Sequence, residues 1–202
     1  MRSHLAELGI IAPQGREGVK ELLAIIAHGD NKHLPVDAHA SLVVLAAQLQ
    51  ALQTMIGAIE KRIVRQHGAN KESKRIQTVP GIGVIGASAI AATVANPKIF
   101  RSGRDFAAWI GLVPRQMSTG GKPKLGPISK QGDRYLRRLL VVGAVSVLRR
   151  AKLHPEKFPW VTQMLARRPF KVVAVALANK MARTAWALMM SGKTCRSARF
   201  AA

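Results

Sequence analysis

Between residues 42 and 63 aliphatic side chains recur at alternating spacings of three and four: Leu42, Leu45, Leu49, Leu52, Ile56, Ile59 and Ile63. That is an a/d stripe held for three heptads, the seam of a coiled coil or of a long helical hairpin. Asp37 is placed to cap the helix, which runs to about His67. A small domain rarely covers a helix of about 30 residues from end to end, so the stripe points to self-association. Packing of the helix on its own domain is the alternative. The stripe therefore sets a domain plan: a connector at 1–36, a coiled-coil dimerisation helix at 37–70 and a helical domain at 71–202.

Charge divides the chain at the end of that helix. Of 32 Lys and Arg against 10 Asp and Glu, residues 1–60 hold four basic and six acidic groups, and residues 61–202 hold 28 basic and four acidic. A local excess of that size implies a polyanionic partner, with nucleic acid first and an anionic membrane second. It also argues against chemistry built on paired carboxylates. Apolar residues make up 48% of the chain, which excludes a disordered polyelectrolyte, and aromatics only 4%, so the cores are built from Ala, Val, Leu and Ile. One cysteine, Cys195, excludes a disulfide framework and a Cys-ligated zinc site, and fits a reducing cytoplasm. No stretch reads as a membrane span: Val172 to Met190 is interrupted by Asn179, Lys180 and Arg183. The N-terminus has no apolar leader with a cleavage site, so the expectation is a cytoplasmic protein.

The rest of the chain reads as all-α. Short helical pieces broken by Pro13, Gly15, Gly18, Gly29 and Pro35 precede the long helix. In the run Val79-Pro80-Gly81-Ile82-Gly83-Val84, within 76–95, a helix ends, Gly81 and Gly83 make a tight turn, and an apolar helix follows. This resembles the helix-hairpin-helix of DNA repair and recombination proteins. There, backbone N–H groups at a helix start, aided by its dipole, take a phosphate oxygen. An ordinary Gly-rich turn is the alternative. Arg101 to Leu112 forms a short segment with Phe106 and Trp109 on one face, expected in the core. Residues 114–133 hold four glycines and three prolines with Arg115, Lys122, Lys124 and Lys130 among them, and read as an exposed loop presenting hydroxyls among cations. Asp133 then opens a helix carrying Arg134, Arg137 and Arg138, with Leu136, Leu139, Leu140 and Val147 inward. Another helix, Lys171 to Met190, closes the domain.

A hydroxyl beside Lys and Arg is what attack on a phosphodiester requires, because the cations hold the phosphate and offset charge on its oxygens. No His or carboxylate neighbours the loop to take the proton, and Asp133 is better used as a cap. From the residues alone, the loop binds phosphate and its chemistry is incomplete.

The run Pro114-Arg115-Gln116, Ser118-Thr119-Gly120-Gly121-Lys122, Leu125-Gly126, Ile128-Ser129-Lys130 and Gly132-Asp133 resembles the C-terminal transposase domain of the bridge-RNA-guided, DEDD/serine insertion-sequence transposases. The Val-Pro-Gly-Ile-Gly turn, Phe106 to Leu112 and the early Leu5-Ala6-Glu7-Leu8-Gly9-Ile10 fit the same resemblance, which covers essentially the whole chain. It implies a loop serine that attacks the DNA backbone and becomes covalently joined to it, beside Mg²⁺ held by the DEDD carboxylates of a RuvC-like half. By position the nucleophile is Ser118, with Thr119 the neighbouring alternative. The same resemblance makes Gly81, Gly83, Arg115, Thr119, Gly120, Gly121, Lys122, Lys124, Lys130 and Arg134 DNA-contacting candidates, with solvated surface charge as the bland alternative for the cations. It implies DNA and a structured guide RNA as partners; the stripe implies a homo-oligomer through the 42–63 helix, and the lack of a span implies no membrane.

The RuvC-like half is the departure, since residues 1–36 have no room for a ribonuclease-H-like sheet. The expectation is a transposase fragment that binds DNA, contributes the serine and is inactive alone, with no cofactor of its own. A non-catalytic DNA- or RNA-binding regulator of the full-length transposase is the alternative, and a basic nucleoid-type protein a third, which the serine loop disfavours.

Overall fold

Polar caps and glycines set the element ends. The computed structural model describes residues 2–28, 34–119 and 122–195; of Ser118, Thr119, Lys122, Pro123 and Lys124 it describes the backbone. The helices are α1 (Arg2–Glu7), α2 (Arg16–His28), α3 (Val36–Ala69), α4 (Lys71–Gln77), α5 (Val84–Thr93), α6 (Gly103–Ile110), α7 (Arg134–Leu153), α8 (Pro159–Arg167) and α9 (Phe170–Ser191). The fold is all-α, as the sequence implies, with one β-hairpin. The chain divides into two compact units, Met1–Lys61 and Arg62–Ala202, and the division falls inside α3.

In the first unit Leu5, Ala12, Leu22, Ile26, Leu42 and Ala46 form a small buried core. His39 Nε2 donates to Ile26 O at 3.0 Å, fastening the start of α3 to α2. Of the heptad stripe, Leu42 is buried, while Leu45, Leu52, Ile56 and Ile59 are exposed, the last at 59%. Beyond Leu42 the stripe is largely uncovered among the described residues, with Leu49 and Ile63 half-buried.

Summed hydropathy corrects one expectation. A window of α3 reaches a mean hydropathy of 1.7, and α3 is the one helix among the described residues long and apolar enough to cross a membrane. Heptad reading hides this, because Val43, Val44, Met55 and the intervening alanines lie outside the stripe yet add to the total, and Ala38 to Ile59 carries no Lys, Arg, Asp or Glu. Length and composition say no more than that.

The second unit is built around α9, along which Val173, Leu177, Ala178, Met181, Ala182 and Ala185 are fully buried. Small side chains let the surrounding helices come close. Asn70 caps α4, accepting from Ser73 N at 2.9 Å, Ser102 caps α6, and Asp133 Oδ1 caps α7 by accepting from Leu136 N at 2.8 Å. The buried His67 at the end of α3 bonds Ser73 Oγ at 2.7 Å and Gln77 Oε1 at 2.8 Å, which fixes the bend into α4. The turn between α4 and α5 presses on α7: Gly81 has φ +90°, and a Cβ on Gly143 would overlap Gly81 O. Phe106 is fully buried as expected, but Trp109 is 40% exposed. It stacks on Phe106 at 6.0 Å, so the pair spans from core to surface.

The expected loop over 114–133 is instead, in its first part, an antiparallel hairpin, β1 (Pro114–Thr119) with β2 (Lys122–Ile128). Register runs Thr119↔Lys122, Ser118↔Pro123, Met117↔Lys124 and Gln116↔Leu125, with an irregularity between Pro114 and Gln116. A two-stranded ladder needs inward N–H groups from only some positions of each strand, so prolines that would break a central strand are tolerated here.

Candidate functional site

The hairpin stands on a fastened neck. Gly111 and Gly132 both have positive φ, +80° and +77°, and a Cβ on Gly111 would overlap Gln131 O while one on Gly132 would overlap Trp109 O. The two legs therefore cross at backbone contact, which no larger residue permits. Arg137 Nη1, from the first turn of α7, donates to Ile110 O at 2.7 Å and Gln131 O at 3.0 Å, binding both legs with one guanidinium. Ser129 N donates to Val113 O at 2.9 Å, and Asn179 Nδ2 of α9 donates to Leu112 O at 3.1 Å. The arm is thereby tied to α6, α7 and α9.

Ser118 and Thr119 occupy the last two positions of β1, next to the connection Gly120-Gly121, which lies outside the described residues together with the side chains of Ser118, Thr119, Lys122 and Lys124. Arg115 is exposed near the base of the arm and donates through Nη2 to Ser129 O at 3.3 Å. Lys130, with φ +56°, is exposed in the neck and donates its N–H to Gly111 O at 3.2 Å. A non-glycine residue in this left-handed region costs about 1–2 kcal/mol, so the neck holds Lys130 against a local preference. Arg134 is exposed in the first turn of α7, which holds no acidic residue. Of the two glycines of the α4–α5 turn, Gly81 is spent on contact with α7: an added Cβ would come within 2.9 Å of Gly143 O, Met181 and Val147. Gly83 opens α5 with nothing within 4 Å of an added Cβ. Only Gly83 leaves room for a backbone approach.

Among the described residues of the second unit the ion pairs are Arg101–Asp105 at 3.5 Å and His154–Glu156 at 3.5 Å. No three of His, Cys, Asp and Glu come together among the described residues to hold a metal ion.

Sequence reading passed over Arg137 as one more surface arginine, and over Asn179. Both are neck residues. It also missed a cleft of about 960 Å³ beside α9, lined by Arg104, Trp160, Lys180, Arg183 and Trp186 among others. Lys180 Nζ lies 4.5 Å from the Trp160 ring centroid, and burial pushes its ammonium below the ordinary lysine value. A second, apolar groove of about 520 Å³ lies between the hairpin base and α9. The spacing of residues 176, 179/180, 183 and 187 on one helical face is the signal that could have found the cleft.

Fold and site together define a cationic helical domain that presents a hydroxyl-bearing hairpin on a rigid neck. Residues 73–158, from α4 past the hairpin to the end of α7 and the turn after it, match the model of the family described as Transposase IS116/IS110/IS902. The chain is 45% identical over 197 residues to a Pseudomonas aeruginosa protein named "Probable family 20 transposase", covering 96% of this chain and 58% of that one. It is 39% identical over 193 residues to the transposase for insertion sequence element IS1328 of Yersinia enterocolitica, covering 95% and 57%. It is 34% identical over 197 residues to the transposase for insertion sequence element IS1111A of Coxiella burnetii, covering 97% and 54%. The chain thus spans just over half the length of these relatives.

Proposed function

We propose that this chain is the DNA-binding, serine-contributing part of an insertion-sequence transposase. What carries the reading is the position of Ser118 and Thr119 in the family-matched segment: at the end of a hairpin arm whose neck is fastened to three helices, next to Gly120-Gly121 and the lysines of β2. A fastened neck suits an arm that must reach a scissile phosphate, since positioning is a large part of phosphoryl-transfer catalysis.

In the proposed step Ser118 Oγ attacks phosphorus. One P–O bond forms to serine, the P–O bond to the departing sugar oxygen breaks, and the serine proton ends on a base while the sugar oxygen gains one. Arg115, Lys122, Lys124 and Lys130 offset charge on the phosphate oxygens. The backbone of Gly83 at the start of α5, more than that of Gly81, takes a second phosphate of the same duplex. Among the described residues no three His, Cys, Asp or Glu side chains come together to hold Mg²⁺. The metal, the proton acceptor and the structured guide RNA belong to the rest of the assembly, including a RuvC-like domain. The uncovered stripe of α3 pairs with a second copy. Incubated alone with Mg²⁺ and donor and target DNA, the chain forms no covalent adduct.

Duplex binding tests the DNA-contacting half of the reading. Each phosphate contact contributes about −0.9 to the slope of log K against log salt. Replacing Arg115, Lys122 and Lys124 by Gln together flattens that slope by about 2.7. An unchanged slope contradicts the assignment of these cations to DNA.

A further inference from the structure

Apolar side chains on the hairpin are used in two ways. At its base Val113 and Ile128 pack against the core of the second unit. Further out, Leu125 of β2 is 70% exposed and Met117 of β1 is 55% exposed. Register separates these two. Leu125 stands opposite Gln116 and Met117 opposite Lys124, and adjacent pairs present their side chains on opposite faces of a ribbon. Met117 lies back along the arm, its Cε 3.7 Å from where a Cβ on Gly126 would be. Leu125, on the other face, stands out into solvent.

A single exposed leucine on an ordinary surface needs no explanation. On this arm its surroundings select a partner. No Asp or Glu occurs between Asp105 and Asp133, and the same stretch carries Arg115, Lys122, Lys124 and Lys130. A partner that satisfies both the cations and the leucine is polyanionic outside and apolar inside. Duplex DNA is both, with phosphates outside and stacked bases within, and its grooves admit a two-stranded ribbon. The local sequence also stiffens the position. Pro123 and Pro127 stand two residues to either side of Leu125, fix φ there and carry no N–H. That edge of β2 is a poor template for an added strand, which counts against an extended peptide as the occupant. A stiff strand on a fastened neck is what a side chain needs to be pushed between bases without being turned aside.

Position along the arm gives the place of contact. Gln116, the partner of Leu125, comes two residues before Ser118 in β1. At about 3.3 Å per residue that is about 7 Å, or about two base steps of a duplex. We infer that Leu125 is a wedge that enters the base stack of duplex DNA about two steps from the phosphate that Ser118 reaches, opening the helix where strands are exchanged. This role rests on the arm contacting DNA as proposed above. Burying one leucine and unstacking one base step are free-energy changes of similar size and opposite sign. The wedge therefore favours a step that is already weakened over an intact one.

The test titrates the full chain into an intact duplex and into the same duplex with a central mismatch, each carrying a fluorescent purine analogue at its centre. Affinity is read by anisotropy over a range of salt, and unstacking by fluorescence of the analogue. The wild-type chain binds the mismatched duplex at least about fivefold more tightly and raises the analogue's fluorescence. Leu125→Ser cuts the preference below about twofold and removes the rise, with the slope of log K against log salt unchanged. Leu125→Met, which keeps an apolar side chain, retains both, and Met117→Ser, on the other face, changes neither. Circular dichroism and the thermal midpoint check that each variant is folded; should Leu125→Ser not fold, Leu125→Ala carries the same prediction. A wild-type chain without the preference, a preference that survives Leu125→Ser, or one lost equally in Met117→Ser overturns the wedge, while a retained salt slope leaves DNA contact by the arm standing. A chain that binds neither duplex overturns both. Loss of self-association in Leu125→Ser with the duplex preference kept assigns the leucine to a second copy and overturns the wedge.

Discussion

Gly143 illustrates how much a single missing Cβ decides here. In the sequence it is one more glycine inside a helix, where Ala is ordinarily favoured by about 1 kcal/mol. In the fold it lies against Gly81 O, so the backbone of the α4–α5 turn reaches α7 only because both residues lack side chains. Gly143→Ala forces turn and helix apart, at a cost of about 2–3 kcal/mol. Thermal unfolding then shifts down by about 5–10 °C. Gly57→Ala, in the middle of α3 with nothing within 4 Å of the new methyl, raises stability by about 0.5–1 kcal/mol. Equal shifts for the two contradict the packing assigned to Gly143. Arg137 is a similar case: its charge is visible in the sequence, but its use as a clasp depends on Ile110 and Gln131 meeting in space, 27 and six positions away.

At the scale of elements, long helices were legible because their signals are local, although Asp37, expected to cap α3, lies inside its first turn, the helix starting at Val36. Asp133 before an amphipathic run and the heptads of α3 each act within a few residues. The hairpin was harder to read. Its glycines and prolines argue for a loop, and the signal that outweighs them is Gly120-Gly121 between Thr119 and Lys122, the kind of two-residue link that hairpins favour. The α3 stripe carries a prediction of its own. Leu52, Ile56 and Ile59 are each more than half exposed, and burying such a side chain contributes about 1.5–3 kcal/mol. Sedimentation equilibrium should therefore show the chain self-associating, and Leu52→Glu with Ile59→Glu should make it monomeric. A wild-type chain that sediments as a monomer throughout the micromolar range contradicts the pairing of α3 with a second copy.

At the scale of the whole molecule, charge and mechanism come from different parts of the argument. The basic excess after residue 60 is a property of composition and needs no fold to be read. What folding adds is direction: an arm fastened to α6, α7 and α9, and a cleft on α9 that leads to its base. Of the cleft only the α9 face was legible, in the spacing of residues 176, 179/180, 183 and 187; Arg104, Trp160 and Lys180 are far apart in the chain and converge only when α6, α8 and α9 pack. The side chain of Ser118 is the point on which the proposed function rests, and one measurement reaches it directly. The portion of the Pseudomonas aeruginosa relative outside its match to this chain is fused ahead of it, the fusion is incubated with Mg²⁺ and donor and target DNA, and the protein–DNA adduct is mapped by mass spectrometry after digestion. The account predicts a nucleotide on Ser118, absent from Ser118→Ala and retained in Thr119→Val. Transposition products formed with no covalent adduct, or an adduct on any other residue, would contradict it.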